Sequence, residues 1–577
     1  MSQFAVSTVQ FIIEANTTVV PVVAQAGTAL APLIALAASS TIGLLMRPRD
    51  LLNLLKAKPW ILGAVAAVAG VMWWLTSWLL APPEIASGPA TRPTSASYTS
   101  TTAAYVCGTD WAQVALAIIR QREASASLAA PTIPATRTAP PPPAGEPAPV
   151  TPAAAARPLF FRCDARRSGH LGGTAPTGLK PAWSYFAQDE RNAMVLSSPI
   201  VRDGLVYSAS CLLYPPKSFG TVSCVDLATG KERWCTTLKQ LNPKQDFIGF
   251  FSSPAITADG SRLLIGQGLH LDYDSDLVCL DARTGEVMWT VATPLHIECS
   301  PCIEGDLVVV GAGSVEVGDE HKLVGDPQGR GNPGFVLGVR ISTGEVLFRH
   351  PVNDPEGSPI LENGICYIGS GVNGNRVVAF KADGSDADLL AAGQARRIWS
   401  VETPYPAAGA ITLDGDTVLI GCGKGDFVFA AKDPEGIVMA LDKRTGALRW
   451  KTTVPDAVLG PIAVVGTTAV VPCRNGEVLA LDLAAQGALR WRTRINKQSP
   501  VLAGPAVTST HVYAVSNDGY LVVLNAVDGK QIERVYLNAK GRPGELRLNT
   551  SSPLIIDGRV LVGSETGGLR CFVGQTP

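Results

Sequence analysis

The sequence has almost no excess charge of either sign. Its 48 lysines and arginines stand against 49 aspartates and glutamates over 577 residues, which gives a formal net charge of −1 at pH 7. Binding to nucleic acid through bulk electrostatics needs a basic surplus. The composition therefore offers no electrostatic case for nucleic acid as a partner.

Cysteine is too sparse for a disulfide framework, since only 12 are spread over the whole chain. Several stand at equivalent positions of a repeat where other copies have alanine, which favours small buried core residues. One alternative stays open. Cys224 and Cys235 flank a predicted hairpin and could form a bridge across it.

Motifs of catalysis and metal binding are also scarce. The six histidines are scattered, and neither a nucleophile elbow nor a P-loop is present. Alternating aspartates at 272–276 resemble the start of a calcium loop, but Leu277 and Arg283 replace the glycine and glutamate that such a loop needs. Cys299 and Cys302 have C-x-x-C spacing without a second ligand pair. We therefore predict no catalytic, cofactor-binding or metal site.

Charge is missing from two long apolar runs near the N-terminus, Val19–Met46 and Trp60–Leu80. Each is long enough to cross a bilayer as a helix, which takes about 20 residues. The loop between them is basic, and basic loops stay in the cytoplasm. Residues 1–81 are therefore predicted to be a membrane anchor of two transmembrane α-helices, with the C-terminal remainder of the chain outside the cytoplasm.

Residues 82–157 are rich in proline, alanine, serine and threonine and lack the apolar surface needed to fold. They are predicted to form a disordered, semi-stiff linker. One segment differs: Asp110–Arg122 has an N-cap aspartate with Gln113 three residues later, which predicts a short helix.

One hairpin recurs from about residue 158 onward. It reads DLATGKERW at Asp226–Trp234, DARTGEVMW at Asp281–Trp289 and DKRTGALRW at Asp442–Trp450, with looser copies elsewhere. Glycine supplies the positive φ that such a turn needs. The closing aromatic residue is predicted to dock each sheet against its neighbour. These blade-docking residues are Trp183, Trp234, Trp289, Phe348, Trp399, Trp450 and Trp491.

Eight units can be counted, and each opens on a short strand that often follows Ser-Ser-Pro or Gly-Pro. Four strands in a repeat of about 40 to 60 residues are typical of a β-propeller blade. The eighth unit stops after its third strand, and Pro181–Phe186 supplies the missing fourth. The sequence predicts an all-β eight-bladed propeller over residues 158–577, in which an N-terminal strand closes the last blade.

The repeats resemble those of the pyrroloquinoline-quinone (PQQ) family of eight-bladed propellers. The resemblance rests on the D-x-x-T-G-x-x-x-W hairpins, the Ser-Ser-Pro strands and the segment FFRCDARRSGH at Phe160–His170, and it covers about residues 159–577. The family contains PQQ-dependent dehydrogenases. It also has a non-enzymatic branch typified by BamB, the propeller lipoprotein of the outer-membrane β-barrel assembly machinery, which binds partner proteins.

The resemblance also implies the requirements of a cofactor site. The dehydrogenases hold PQQ between a tryptophan face and a disulfide of two adjacent cysteines, with Ca²⁺ on the quinone and an aspartate as base. No two cysteines are adjacent here, and all six tryptophans of the propeller fall at the blade-docking position. We therefore expect no cofactor, as in the BamB-like branch, with a PQQ- and calcium-dependent dehydrogenase as the alternative.

Long loops between the second and third strands of blades one, two, three and five would project from one face of the propeller. They mix apolar and acidic side chains, which suits a protein partner better than a small molecule. Blade four carries a different insertion, Asp383–Ala395, on the opposite face. The candidate partner-binding residues are Leu213, Tyr214, Phe219, Asp272, Asp274, Glu316, Asp319 and Glu320.

These features predict a non-catalytic scaffold that binds other envelope proteins. Its anchor would lie in a bacterial cytoplasmic membrane, with the propeller on the extracytoplasmic side. A ligand-sensing ectodomain is a further alternative, although the predicted cytoplasmic loop of about a dozen residues is too short for a signalling domain.

Overall fold

The computed structural model describes the repeat region of the chain. Within it, no helix combines the length and apolar character of a membrane span. The two predicted membrane helices, the linker and the short helix at 110–122 lie outside the described residues and stay predictions. The described residues are 159–187, 193–211, 220–237, 249–268, 273–313, 315–317, 322–325, 334–371, 374–425, 427, 430–497, 499–540 and 547–575.

Eight radial sheets form a β-propeller, which confirms the predicted architecture of the repeat region. Strands in each blade follow one another antiparallel from the axis outward, and β1 (His170–Gly172) and β2 (Thr177–Tyr185) precede the first blade in the chain. Blade 1 consists of β3 (Ile200–Arg202), β4 (Leu205–Cys211), β5 (Gly220–Asp226) and β6 (Glu232–Thr237). Blade 2 consists of β7 (Ala255–Ile256), β8 (Arg262–Gly266), β9 (Tyr273–Asp281) and β10 (Val287–Leu295). Blade 3 consists of β11 (Cys302–Glu304), β12 (Leu307–Gly313), β15 (Gly334–Arg340) and β16 (Val346–Pro351), with an inserted hairpin of β13 (Val315–Val317) and β14 (Lys322–Gly325).

The remaining blades repeat this order. Blade 4 consists of β17 (Ile360–Glu362), β18 (Ile365–Ser370), β19 (Arg376–Lys381) and β20 (Arg397–Glu402), with helix α1 (Asp386–Ala391) between the last two. Blade 5 consists of β21 (Thr412–Asp414), β22 (Thr417–Gly423), β23 (Gly436–Asp442) and β24 (Leu448–Val454). Blade 6 consists of β25 (Ala463–Val465), β26 (Thr468–Pro472), β27 (Glu477–Asp482) and β28 (Ala488–Arg494). Blade 7 consists of β29 (Ala506–Val507), β30 (His511–Ser516), β31 (Tyr520–Asn525) and β32 (Gln531–Tyr536), and blade 8 of β33 (Leu554–Ile556), β34 (Arg559–Ser564) and β35 (Gly568–Gln575).

Blade 8 is completed from the other end of the chain. β2 pairs antiparallel with β35, with Trp183 opposite Cys571, so the predicted closure of the ring is confirmed. β1 runs parallel to β33, with His170 opposite Ile555, and makes this the one five-stranded sheet among the described blades. The repeat pattern does not predict β1.

The recurring hairpin is organised by its first residue. In blade 1 the Asp226 carboxylate accepts hydrogen bonds from the N–H groups of Ala228 and Thr229, at 3.1 and 3.0 Å, and Gly230 has a φ of 69°. Arg233 pairs with the same carboxylate at 2.9 Å and, together with Thr229, lowers the pKa of Asp226 to about 2. An aspartate and a glycine at these two positions satisfy the turn, which explains why they recur.

The closing tryptophans lie at the seams between blades. Trp183 packs on Gly230 of the next blade, where a Cβ would come within 2.6 Å of the indole, so only glycine fits. The Trp183 Nε1–H donates to the Leu227 carbonyl at 3.0 Å. Trp450 packs in the same way on Gly487. Equivalent bonds of 2.9 to 3.0 Å run from Trp234 to Ala282, from Trp289 to Ile341, from Trp399 to Lys443 and from Trp491 to Ala526.

The seam between blades 3 and 4 is built differently, because Phe348 has no N–H to donate. The guanidinium of Arg396 lies over the Phe348 ring at 4.2 Å. It donates to the carbonyls of Lys381 and Gly384 at 2.7 and 3.2 Å. Arg396, which follows α1, thus supplies both the contact and the donor that an indole supplies elsewhere.

A carboxylate takes this position at the seam between blades 7 and 8. Glu533 lies on β32, where other blades have the closing aromatic residue, and faces Val523 of β31. Its oxygens accept hydrogen bonds from the N–H groups of Gly178 and Leu179 on β2, at 2.7 and 3.1 Å. The last seam therefore joins a charged side chain to the backbone of the closing strand.

The proposed bridge between Cys224 and Cys235 is wrong. The register of β5 and β6 places Cys224 opposite Trp234 and Cys235 opposite Ser223. Adjacent residues of a strand point to opposite faces of the sheet, so the two thiols diverge. Both cysteines are free, and Cys224 is a fully buried core residue.

Candidate partner-binding face and axial channel

The predicted partner-binding face lies at the end of the propeller where second strands connect to third strands. Asp274 lies in β9 of blade 2, and Glu316 lies in β13 of blade 3, opposite Leu323. The structure therefore places these two on neighbouring blades. The other candidates, Leu213, Tyr214, Phe219, Asp272, Asp319 and Glu320, lie outside the described residues and stay predictions.

The long loop of blade 3 contains secondary structure of its own. β13 and β14 form an antiparallel hairpin in which Val317 faces Lys322. This hairpin differs from the loop predicted for the stretch, although its short alternating segments VEV and KLVG are a weak strand signal. The blade-4 insertion emerges at the opposite end of its blade, between the third and fourth strands, and carries α1.

The axial channel is occupied by the chain's own segment Leu159–Gly169, here called the plug. Leu159 exchanges two backbone hydrogen bonds with Ile256 of blade 2, at 2.9 and 2.7 Å. Plug carbonyls then accept N–H groups from the innermost strands of four successive blades, at 2.8 to 2.9 Å. These pairs are Ala165 with Leu413, Arg166 with Val464, Ser168 with Val507 and Gly169 with Ile555.

Two arginines of the plug are almost fully buried. Arg162 and Arg167 are 4 % and 1 % exposed, and each spreads its guanidinium between two blades. Burial lowers the pKa of each to about 10, which leaves both charged at neutral pH. Arg167 donates to the carbonyls of Ser358, Pro359 and Ile411 at 2.9 to 3.1 Å, and Arg162 donates to those of Pro553, at 2.6 Å, and Pro505.

The second serine of the Ser-Ser-Pro strands links neighbouring blades around this channel. Its hydroxyl accepts the N–H of the matching residue in the preceding blade at 2.9 Å. These bonds run from Gly504 to Ser552, Ser552 to Ser198, Ser198 to Ser253, Ser253 to Ser300 and Ser300 to Ser358. Three residues without a hydroxyl interrupt the series, since Ala410, Pro461 and Gly504 stand at the matching positions of blades 5, 6 and 7.

Sequence reasoning missed the plug. It used Phe160–His170 only as part of a family resemblance. The available signal was a set of three arginines in a short segment that also holds two phenylalanines and a cysteine. Such a pattern does not say which carbonyls receive the guanidinium groups, because these come from blades up to 391 residues away.

The tryptophans of the described propeller do not fit the PQQ site that the resemblance implies. A cofactor stacked on an indole needs a tryptophan whose face is free. Trp183, Trp234, Trp289, Trp399, Trp450 and Trp491 each pack on a turn glycine of the next blade. A vicinal disulfide cannot form either, because the sequence has no adjacent cysteines.

Of the two motifs with metal-like spacing, the cysteine pair has a structural role. The Cys299 thiol accepts the N–H of Gly311 at 3.0 Å, as the first serine hydroxyl does in other blades, and Cys302 is fully buried. Burial raises the pKa of these thiols to about 12 and 11, which removes the thiolate that a ligand or nucleophile needs. Ser275, within the aspartate-rich stretch, is buried in β9. Across the described ranges, no three histidine, cysteine or acidic side chains come together as a metal group would require.

Comparison with known proteins gives two kinds of relatives. A family model described as outer membrane protein assembly factor BamB matches residues 218–325 and 434–576. BamB from Burkholderia pseudomallei is 25% identical over 403 residues, which cover 63% of this chain and 94% of that protein. The quinoprotein alcohol dehydrogenase PedH of Pseudomonas putida is 24% identical over 204 residues, which cover 34% of this chain and 29% of that protein.

A solved structure matches the fold. The quinohemoprotein alcohol dehydrogenase from Comamonas testosteroni superposes with a TM-score of 0.51 and is 16% identical, over 72% of this chain and 81% of that chain. At this identity the similarity concerns the propeller alone.

Proposed function

Because the chain belongs to the PQQ-like, BamB-like family of β-propellers, we propose that it is a non-catalytic scaffold that binds proteins of the bacterial envelope. The proposal includes an anchor of two membrane helices, a linker and a propeller on the extracytoplasmic side of the cytoplasmic membrane. Envelope partners are supported by the BamB relatives, which are assembly factors for outer membrane proteins by name. The anchor and the location rest on the apolar runs and the basic loop of the sequence.

The observation that carries the non-catalytic part is the occupied axis. The plug bonds its backbone to the innermost strands around the axis, and its two buried arginines donate to carbonyls of blades 4, 5, 7 and 8. The docked tryptophans point the same way. The plug and the docked tryptophans hold neighbouring blades together. The plug does so at the axis, and the indole rings do so at the seams. The outer loops are left for function, as is common where a rigid scaffold presents binding segments.

The alternative is a PQQ-dependent dehydrogenase, which the partial similarity to quinoprotein alcohol dehydrogenases favours. A titration of the purified full-length chain with PQQ and Ca²⁺, followed by calorimetry and absorbance, separates the two. The scaffold proposal expects no binding at high micromolar PQQ. Stoichiometric binding with a quinone spectrum would overturn it.

The partner-binding face is tested by affinity capture from solubilised envelopes. A variant with Leu213, Tyr214 and Phe219 changed to serine is compared with the wild type. The matched control is Leu390→Ser, because Leu390 is 81% exposed on α1 at the opposite end of the propeller. We expect the triple variant to lose partners that the control retains. Equal loss from both variants would refute the assignment of the face.

A further inference from the structure

The outer edge of blade 2 differs from those of the other blades. β10 is the terminal strand of its sheet and pairs only with β9 within the described residues. Its nine residues, VMWTVATPL, contain no charged side chain. Native sheets normally protect such an edge with charges, proline or a cover, because free N–H and C=O groups invite another strand.

Each of the other seven outer strands carries at least one charge. The charged residues are Lys180 on β2, Glu232 and Arg233 on β6, Arg349 on β16, Arg397 and Glu402 on β20, Arg449 and Lys451 on β24, Arg490, Arg492 and Arg494 on β28, and Glu533 and Arg534 on β32. These seven edges are therefore protected by the usual device, and β10 is the exception.

The side chains along β10 are compatible with an added strand. Val287 and Met288 are 41% and 46% exposed, and Thr290 and Ala292 are also exposed. Trp289 and Val291 point to the other face, towards blade 3. Three of the four exposed positions, Val287, Thr290 and Ala292, carry a small or β-branched side chain that lets a neighbouring backbone approach, and the fourth, Met288, is unbranched and flexible. Only Pro294 near the end of the strand lacks an N–H.

We propose that the outer edge of β10, from Val287 to Thr293, binds an extended, uncharged segment of a partner protein by strand addition. This inference deepens the proposed scaffold function and rests on it, since it names the kind of segment bound. Main-chain hydrogen bonds would supply the affinity, and side-chain positions on alternate faces the specificity. An uncharged segment is favoured because β10 offers no opposite charge to pair with a charged one.

A second copy of this chain fits the edge less well. Seven paired residues extend over roughly 23 Å. Two propellers that touch only along such an edge would bury much less than the approximately 1,000 Å² that a specific interface requires. A flexible partner segment has no such limit, because the rest of the partner can contact the neighbouring loop face.

The test uses the purified full-length chain and a fluorescein-labelled peptide of four Thr-Val repeats. A twin peptide carries N-methyl groups on its valines, which remove the N–H groups along one edge. We expect the first peptide to bind with a micromolar dissociation constant and to slow hydrogen exchange within Val287–Thr293. The twin should bind at least tenfold more weakly, because main-chain pairing is lost.

A matched pair of variants tests the position. Thr290→Lys charges the edge and should weaken binding at least tenfold. Ser400→Lys is its control, since Ser400 faces Val378 in β20 as Thr290 faces Val278 in β10. Equal binding of the N-methylated twin, or protection spread over other outer strands, would overturn the proposal.

Two further outcomes are distinct. Protection of β10 that grows with protein concentration in the absence of peptide would mean self-association and would also overturn it. If the peptide fails to bind while envelope capture persists, edge pairing is rejected and the scaffold function stands.

Discussion

Glu533 of blade 7 accepts hydrogen bonds from the N–H groups of Leu179 and Gly178 in the closing strand, at 3.1 and 2.7 Å. The other seven seams place an aromatic ring at this position. The joint between the two ends of the domain thus depends on a charged side chain and two backbone donors. Hydrogen bonds to charged groups contribute more than neutral ones.

Replacement of Glu533 should therefore weaken the ring. We expect Glu533→Ala to lower the free energy of unfolding by about 2 kcal/mol, because two backbone N–H groups lose their acceptor. Glu533→Gln keeps an acceptor oxygen and should lose less. Urea unfolding measures the loss in both variants. The control is Gln531→Ala on the same strand, which should lower the free energy of unfolding by less than about 0.5 kcal/mol. A loss in Glu533→Ala no larger than in the control would contradict this role.

Two substitutions of a docking tryptophan should separate the contributions of ring packing and of the hydrogen bond to stability. Trp234 is 8% exposed and donates to Ala282 at 3.0 Å. Trp234→Ala should cost about 3–5 kcal/mol, because it leaves a cavity at the seam. Trp234→Phe keeps most of the ring and should cost about 1–2 kcal/mol, for the lost bond and part of the volume. Thermal and urea unfolding would check the order, and equal costs for the two variants would contradict the expected contribution of ring packing to the seam.

Removal of a buried plug arginine should strongly lower the free energy of unfolding. Arg167→Ala leaves the carbonyls of Ser358, Pro359 and Ile411 without their donor in a buried site, with an expected loss of about 3 kcal/mol or more. Arg166→Ala is the matched control, since Arg166 is half exposed and pairs with Asp414 at the surface. We expect less than about 1 kcal/mol for the control. Similar losses in chemical denaturation would show that the plug does not anchor through Arg167.

His350 should make the fold sensitive to mild acid. Burial, with Arg396 and Arg397 nearby, lowers the pKa of His350 to about 4, and its ring lies 4.4 Å from that of Phe380. The unfolded chain takes up a proton near pH 6.5 while the folded chain does not, so stability falls as pH drops from 6.5 towards 4.

Partial exposure of His350 reduces this effect. We expect His350 to account for a fall of about 1 kcal/mol in the free energy of unfolding between pH 7.5 and pH 5. His350→Gln should be less sensitive to acid by that amount. Urea unfolding at both pH values gives the comparison, and an unchanged pH dependence in the variant would exclude His350 as the source.

The core thiols should be unreactive in the folded protein. Burial raises the pKa of Cys224 and of Cys279 to about 12. Thiolate is the reactive form, so a disulfide reagent such as Ellman's should modify these residues orders of magnitude more slowly in buffer than in guanidinium chloride. Mass spectrometry of the labelled peptides would identify each site. Rapid labelling of Cys224 in buffer would contradict the buried core position.

Periodic features were predictable from the sequence, and single contacts over long distances were not. The D-x-x-T-G-x-x-x-W hairpin repeats often enough to show the blades, and the missing fourth strand of blade 8 identified Trp183 and its strand as the closure. Arg162 and Arg167 gave no such signal, because their acceptors are carbonyls of distant blades. The seam contacts of Arg396 and Glu533 could not be predicted for a related reason. Each residue takes over part of a tryptophan's role at a single seam, and a repeat pattern shows only what recurs. Of the predicted binding face, Asp274 and Glu316 have described backbone positions, and the rest stays a prediction.

The plug also constrains the order of folding. Arg162 contacts Pro553 across 391 residues, and β2 pairs with β35, the last strand of the chain. Neither contact can form until blade 8 has been synthesised, whereas hairpins within blades 1 to 7 are local. The plug can pair early with Ile256 of blade 2, and Trp183 of β2 can dock on blade 1, but the contacts of both segments with blade 8 must wait until that blade has formed. The propeller then closes around the plug, which is synthesised before any of the blades. The slowest folding step should therefore be the pairing of the plug and β2 with blade 8.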